Sequence, residues 1–124
     1  LVHAHLKDYT LHRVKGGYLL ARCVTGQGVV PYPLLLPLFK TKPEMTISLE
    51  LSALEGRRIR VEDEDWWAGF EPRDRSQALA ILDRAALGGP DPQTPWEKGL
   101  GSEVGEYEVS QTAQSVKYLE GLFS

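Results

Sequence analysis

Two short stretches of the chain alternate apolar and polar residues with the period of a half-buried strand. In the first, Val2, Ala4 and Leu6 point one way and Leu1, His3 and His5 the other. In the second, Met45, Ile47, Leu49 and Leu51 share a face, opposite Thr46, Ser48 and Glu50. Between them, Asp8 to Gly28 reads as a polar loop broken by Gly16-Gly17 and Gly26-Gln27-Gly28. A short apolar segment, Pro31 to Phe39, follows. Pro33 suits the first turn of a helix, and Pro37 predicts that the helix ends early or bends. A connection of roughly forty residues that contains a helix favours a parallel crossover between the two strands. An antiparallel sheet with one solvated face is the competing reading.

Beyond Leu51 the pattern weakens. Arg57 to Arg60 predicts a short extended piece, because Ile59 and Val61 alternate with charged residues. Glu62-Asp63-Glu64-Asp65 leads into Trp66-Trp67. Consecutive carboxylates without the spacing of a calcium loop read as a solvated face rather than a metal site. Asp74 is the N-cap of a predicted helix over Arg75 to Leu87, with Ala78, Leu79, Leu82 and Ala86 facing inward. Gly88-Gly89-Pro90 stops it, and Asp91 to Gly105 reads as a loop. A last helix, Val109 to Phe123, is expected to bury Val109, Ala113, Val116, Leu119 and Phe123.

Composition narrows the classes of function. The 124 residues suffice for one domain with a modest core, and the hydrophobic (42%) and charged (25%) fractions suit a globular chain. A net charge of −3 provides no basic field for nucleic acid or an anionic membrane surface. Cys23 is the single cysteine, so it has no internal disulfide partner and reads as a buried, inert thiol. No apolar run approaches the roughly 18 residues of a membrane span. A cytoplasmic location is the expectation, with homo-oligomerisation left open.

The chemistry-bearing positions lie on the two alternating segments. His5 and His3 project from one face of the first, and imidazole suits Mn²⁺, Co²⁺, Zn²⁺ and Fe²⁺. Glu50 is an isolated acid at the end of an otherwise uncharged strand, costly on an interior face unless paired or bound to a cation. The bland reading of Glu50 is an ion pair with Lys7 or Arg13. Lys7 and Asp8 read as a structural or supporting pair beside the site.

His3-Ala4-His5-Leu6-Lys7-Asp8-Tyr9, then Gly26-Gln27-Gly28-Val29-Val30-Pro31-Tyr32, then Ile47-Ser48-Leu49-Glu50, resembles the xylose isomerase-like TIM-barrel superfamily of sugar isomerases and epimerases. The resemblance covers about the first fifty residues in order and spacing. It implies an α/β fold, the C-terminal portion of a (β/α)8 TIM barrel, comprising about strands seven and eight and a helical C-terminal extension. Residues 1–54 would run from strand seven to strand eight, and 55–124 would form the loop and helical segment. A start at Leu1 rather than Met agrees with a chain cut in mid-domain.

By the same resemblance, His5 is a metal ligand, and Glu50 is both metal ligand and acid/base group. Arg13 lies near a substrate-binding position, and His3 either touches substrate or packs. The cofactor would be a divalent metal, Mn²⁺ first, with Co²⁺, Mg²⁺ or Zn²⁺ as alternatives. The partner would be a small sugar or polyol. The implied reaction is isomerisation or epimerisation by proton transfer through a metal-stabilised enediolate. With only two of the family's ligands, the chain alone is expected neither to bind metal tightly nor to catalyse. The alternatives are a non-catalytic homologue and an endonuclease IV-like phosphodiesterase; the latter's extra Asp-x-His pair is missing between Asp8 and Gly28.

Overall fold

The parallel pairing expected of the two alternating segments is present. In a computed structural model, which describes residues 3–51, 56–70, 74–87, 92 and 98–124, β1 (His3–Leu6) lies parallel to β4 (Thr46–Leu49). His5 sits opposite Ser48 and Leu6 opposite Leu49, and the ladder continues as the Glu50 amide donates to the Leu6 carbonyl at 2.9 Å. Helix α1 (Tyr32–Lys40) stands in the crossover. Leu1 and Val2, the Gly88-Gly89-Pro90 stop and most of the 91–97 loop lie outside the described residues.

The expected polar loop is a hairpin. β2 (Tyr9–Val14) and β3 (Gly17–Arg22) pair antiparallel, with Val14 opposite Gly17 across a two-residue Lys15-Gly16 turn. Gly16 takes φ 86°, a left-handed conformation that glycine adopts without Cβ strain. β5 (Arg57–Ile59) adds to the other edge of β3. β3 is therefore a central strand, buried at five of its six positions, and burial on both faces erases the polar–apolar alternation.

This arrangement overturns the barrel expectation. A barrel repeats a strand–helix unit in one parallel sheet, whereas the described strands form a two-stranded parallel sheet and a separate three-stranded antiparallel one. The three-stranded sheet has its own core. Leu11, Tyr18 and Val61 are buried there, and Leu20, Ile59, Trp66, Trp67, Leu79 and Leu82 pack on them. The last two come from α2 (Asp74–Ala85), with Ala86 just beyond it, so most of its expected inward face is correct. The architecture is mixed α/β, with no barrel-fragment pattern among the described residues.

Two helices depart from expectation. α1 runs three residues past Pro37 to Lys40. The proline forfeits one amide and crowds the carbonyl of Pro33, and both prolines are exposed, so the lost bond opens toward solvent rather than the interior. α3 (Val104–Phe123) is turned over. Gln111 and Ser115 face inward, while Val109, Ala113 and Val116 are exposed. The reason is a set of buried polar groups that need partners. Arg22, 4% exposed, donates from Nε to Gln111 Oε1 at 2.7 Å and from one terminal nitrogen to Glu108 at 3.1 Å and to the Leu51 carbonyl. The Thr25 amide donates to Ser115 Oγ at 3.0 Å. Leu119 and Phe123 are half-buried, and the Phe123 ring meets Phe39 of α1 at 6.2 Å.

A single carboxylate joins hairpin, loop and crossover. Asp8, fully buried, accepts the amides of Tyr9 (2.9 Å) and Val30 (3.1 Å) on Oδ1, and of Gly26 (2.8 Å) and Gly28 (3.0 Å) on Oδ2. A Cβ at Gly28 would lie inside contact distance of Asp8 Oδ1, so glycine is required by the close approach. The loop delivers Tyr32 to the start of α1, where its buried hydroxyl donates to the Lys7 carbonyl at 2.7 Å. Burial, with Asp8 nearby, pushes the Tyr32 hydroxyl up to about 12 and the Cys23 thiol likewise to about 12.

Two outcomes follow. Asp8→Asn leaves amides without a charged acceptor and should lower the unfolding free energy by about 2–4 kcal/mol in urea denaturation; a loss under about 0.5 kcal/mol would contradict the arrangement. Cys23 should resist a thiol reagent at pH 8 in the native chain and react at once in denaturant, because the thiolate is the nucleophile.

Candidate functional site

The site lies where the parallel strands end. Adjacent strands running the same way bring their last residues to one edge, and the period-two alternation sends His5 and Glu50 to the same face. His5 Nδ1 and Glu50 Oε2 are 3.1 Å apart. The second oxygen of Glu50, Oε1, accepts from Lys7 Nζ at 3.2 Å. The His5 side chain is 59% exposed and Glu50 41%, whereas Lys7 is only 15% exposed. The edge thus consists of an open imidazole and an open carboxylate oxygen, with a covered ammonium behind.

Lys7 is held in its charged form. Burial pulls its proton affinity down, but hydrogen bonds to Tyr9 and Glu50 outweigh it and raise the ammonium above its ordinary value. The ammonium also stands 5.5 Å from the centre of the Tyr9 ring. It anchors one carboxylate oxygen and leaves the other facing His5.

His3 lies one pleat back on the same face. Its ring meets that of His5 edge-on at 4.8 Å between centroids, and its Nδ1 is hydrogen-bonded to Thr46 Oγ1 on β4. It borders the pair and restricts how the His5 ring can turn. Arg13 is elsewhere in its contacts. Its guanidinium donates to Tyr18 Oη at 2.6 Å and to Asp83 at 2.8 Å, with Glu62 at 3.7 Å, which ties the hairpin to α2. The structure brings His3, His5, Lys7 and Glu50 together and gives Arg13 a different set of partners. The ion pair anticipated for Glu50 is with Lys7.

Asp8 is the residue whose role the sequence did not disclose. Lys7 turns to Glu50, while Asp8 turns to backbone amides as many as 22 residues away. Its one local signal is the glycine pair at 26 and 28, which marks a backbone that must approach something closely. The acidic run lies at the surface as expected, and three of its four acids meet arginines. Glu62 faces Arg13, Asp63 faces Arg60 at 3.4 Å, and Glu64 forms a two-point pair with Arg75 at 3.0 Å.

Among the described residues no cluster of three or more His, Cys, Asp or Glu side chains is arranged for a metal ion. No helix among them is long and apolar enough to cross a membrane. Compared with protein-family models, curated proteins and solved structures, the chain matches none.

The lysine contribution has a definite pH sign. A raised folded-state value stabilises fully below the ordinary lysine value of 10.5 and is lost as pH rises through the folded value. The stability difference between wild type and Lys7→Met should therefore shrink above pH 10.5, measured by denaturant unfolding across that range. A difference that is constant or grows would contradict the pairing.

Proposed function

We propose that His5 and Glu50 are two protein ligands of a divalent-cation site, and that Glu50 moves a proton on a polyhydroxylated carbonyl substrate, the chemistry of a sugar isomerase or epimerase. The observation that supports this most is the 3.1 Å approach of an exposed imidazole nitrogen and an exposed carboxylate oxygen at the joined ends of two parallel strands. Imidazole and carboxylate donors together suit a divalent cation, with Mn²⁺ as the first candidate.

His5 and Glu50 would hold the cation, which would supply polarisation of the substrate's carbonyl and hydroxyl oxygens and so acidify the adjoining carbon–hydrogen bond. Glu50 would take that proton. Oε2 faces His5 and would be the oxygen on the cation, so the proton would pass through Oε1, the oxygen beside the Lys7 ammonium. Return of that proton by Glu50 to the adjacent carbon would isomerise the sugar, whereas epimerisation would require a second proton donor on the opposite face. His3, beside His5 and exposed, is positioned to border a bound polyol. An acid and an imidazole at one strand edge also satisfy the bland reading, in which Glu50 serves only as partner to Lys7.

Manganese titration of the 124-residue chain, followed by electron paramagnetic resonance, separates the two readings. Two ligands predict a dissociation constant of about 0.1–1 mM, roughly 4–5.5 kcal/mol of binding. His5→Ala and Glu50→Gln should each abolish it, with thermal unfolding changed by less than about 1 kcal/mol because the pair is exposed. Micromolar or tighter binding would refute the two-ligand set. Retention of binding in both variants, or no binding by the wild type, would refute the site.

A further inference from the structure

A second opening lies away from the strand edge. Between the 24–27 loop, the first turn of α1 and one face of α3 is a pocket of about 680 Å³, within the size range of sites for small organic molecules. None of His3, His5, Lys7 and Glu50 lines it. On α3 the lining residues recur at three- and four-residue spacings from Gln114 to Leu122, which sets them on one side of the helix. The facing loop is pinned. Ser115 Oγ accepts the Thr25 amide, Asp8 Oδ2 the Gly26 amide, and the Val24 carbonyl the Gln27 amide. The Tyr118 ring packs so closely over Gly26 that a Cβ there would collide with ring carbons, and it meets the Tyr32 ring edge-on at 6.4 Å. Walls fixed before a ligand arrives lose little freedom when it binds.

The chemistry of the lining is lopsided. Val24, Pro33, Leu122 and the Tyr118 ring present apolar surface. Lys117 is the one charged residue among the lining residues; it is exposed and forms no ion pair with a described residue. We propose that this pocket binds a small aromatic carboxylate, with its ring against Pro33, Tyr118 and Leu122 and its carboxylate on the Lys117 ammonium. Flat rings on the wall suit a flat apolar body. A carboxylate leaving water needs a cation and further donors, and exposed Gln27 supplies an amide from the facing loop. A polyol has too little apolar surface to cover Val24 and Leu122, so the pocket differs in its ligand class from the site at Glu50. Gly121 keeps the space open, because nothing lies within 4 Å of the point where its Cβ would stand.

Titration of the isotope-labelled chain with cinnamate, followed by amide chemical shifts, tests the site. The amides of Gly26, Gln27, Lys117, Tyr118 and Gly121 should move together, with a dissociation constant on the order of 1 mM. Cinnamamide, which keeps the shape and lacks the charge, should bind about fivefold more weakly. Lys117→Met should weaken cinnamate by about the same factor and leave cinnamamide unchanged. Gly121→Leu puts a side chain into the open space and should weaken both about tenfold or more, with the remaining amide shifts showing the chain still folded. His5→Ala should change neither. No movement of these amides at about 10 mM cinnamate, equal binding of acid and amide, unchanged binding in Gly121→Leu, or loss of binding in His5→Ala would overturn the proposal.

Discussion

The Asp8 carboxylate is the constraint on which the described structure turns. A buried charge is costly, and four backbone amides from residues 9, 26, 28 and 30 offset that cost at one point. The consequence is positional. The chain leaving β3 is drawn back to the end of β1, and the loop hands Tyr32 into the interior. The Tyr32 hydroxyl then fixes the carbonyl of Lys7, whose ammonium holds Glu50. Three consecutive hydrogen-bonded links thus run from a structural acid to the acid proposed to act in chemistry.

A second polar constraint orients the C-terminal helix. Arg22 sits within the structure with its guanidinium shared among Gln111, Glu108 and the Leu51 carbonyl, and Ser115 answers the Thr25 amide. Leaving such groups unpaired costs about 1–3 kcal/mol each, comparable with exposing one or two small apolar side chains. Polar satisfaction therefore outweighs hydrophobic burial along α3, and its apolar stripe faces outward.

These two constraints also explain which features were legible in the sequence. β1 and β4 were readable because each has one covered and one open face, so alternation survives, and the helix between them called for a parallel crossover. His5 and Glu50 were readable for the same reason, as ionisable residues at the ends of alternating strands. β3 was not, because a strand buried on both faces shows no alternation, and Gly16-Gly17 read as a loop breaker rather than a hairpin turn. The inward face of α3 was hidden because the period of its apolar residues marks the surface it leaves open. The barrel expectation rested on the order of a histidine pair, a Gly-x-Gly loop and a glutamate. That order does not fix the architecture, because the antiparallel hairpin inserted between its parts builds a different one. The resemblance set Arg13 near a substrate-binding position, and in the structure the hairpin directs its guanidinium to Tyr18 and Asp83.

Amide hydrogen exchange tests the central role of Asp8 most directly. If its carboxylate clasps the loop, the amides of Gly26, Gly28 and Val30 should exchange as slowly as those of His12 and Leu19, a bonded pair within the hairpin, although they lie outside any strand. Exchange at the rate of an open loop for these three amides, with the hairpin still protected, would contradict the account.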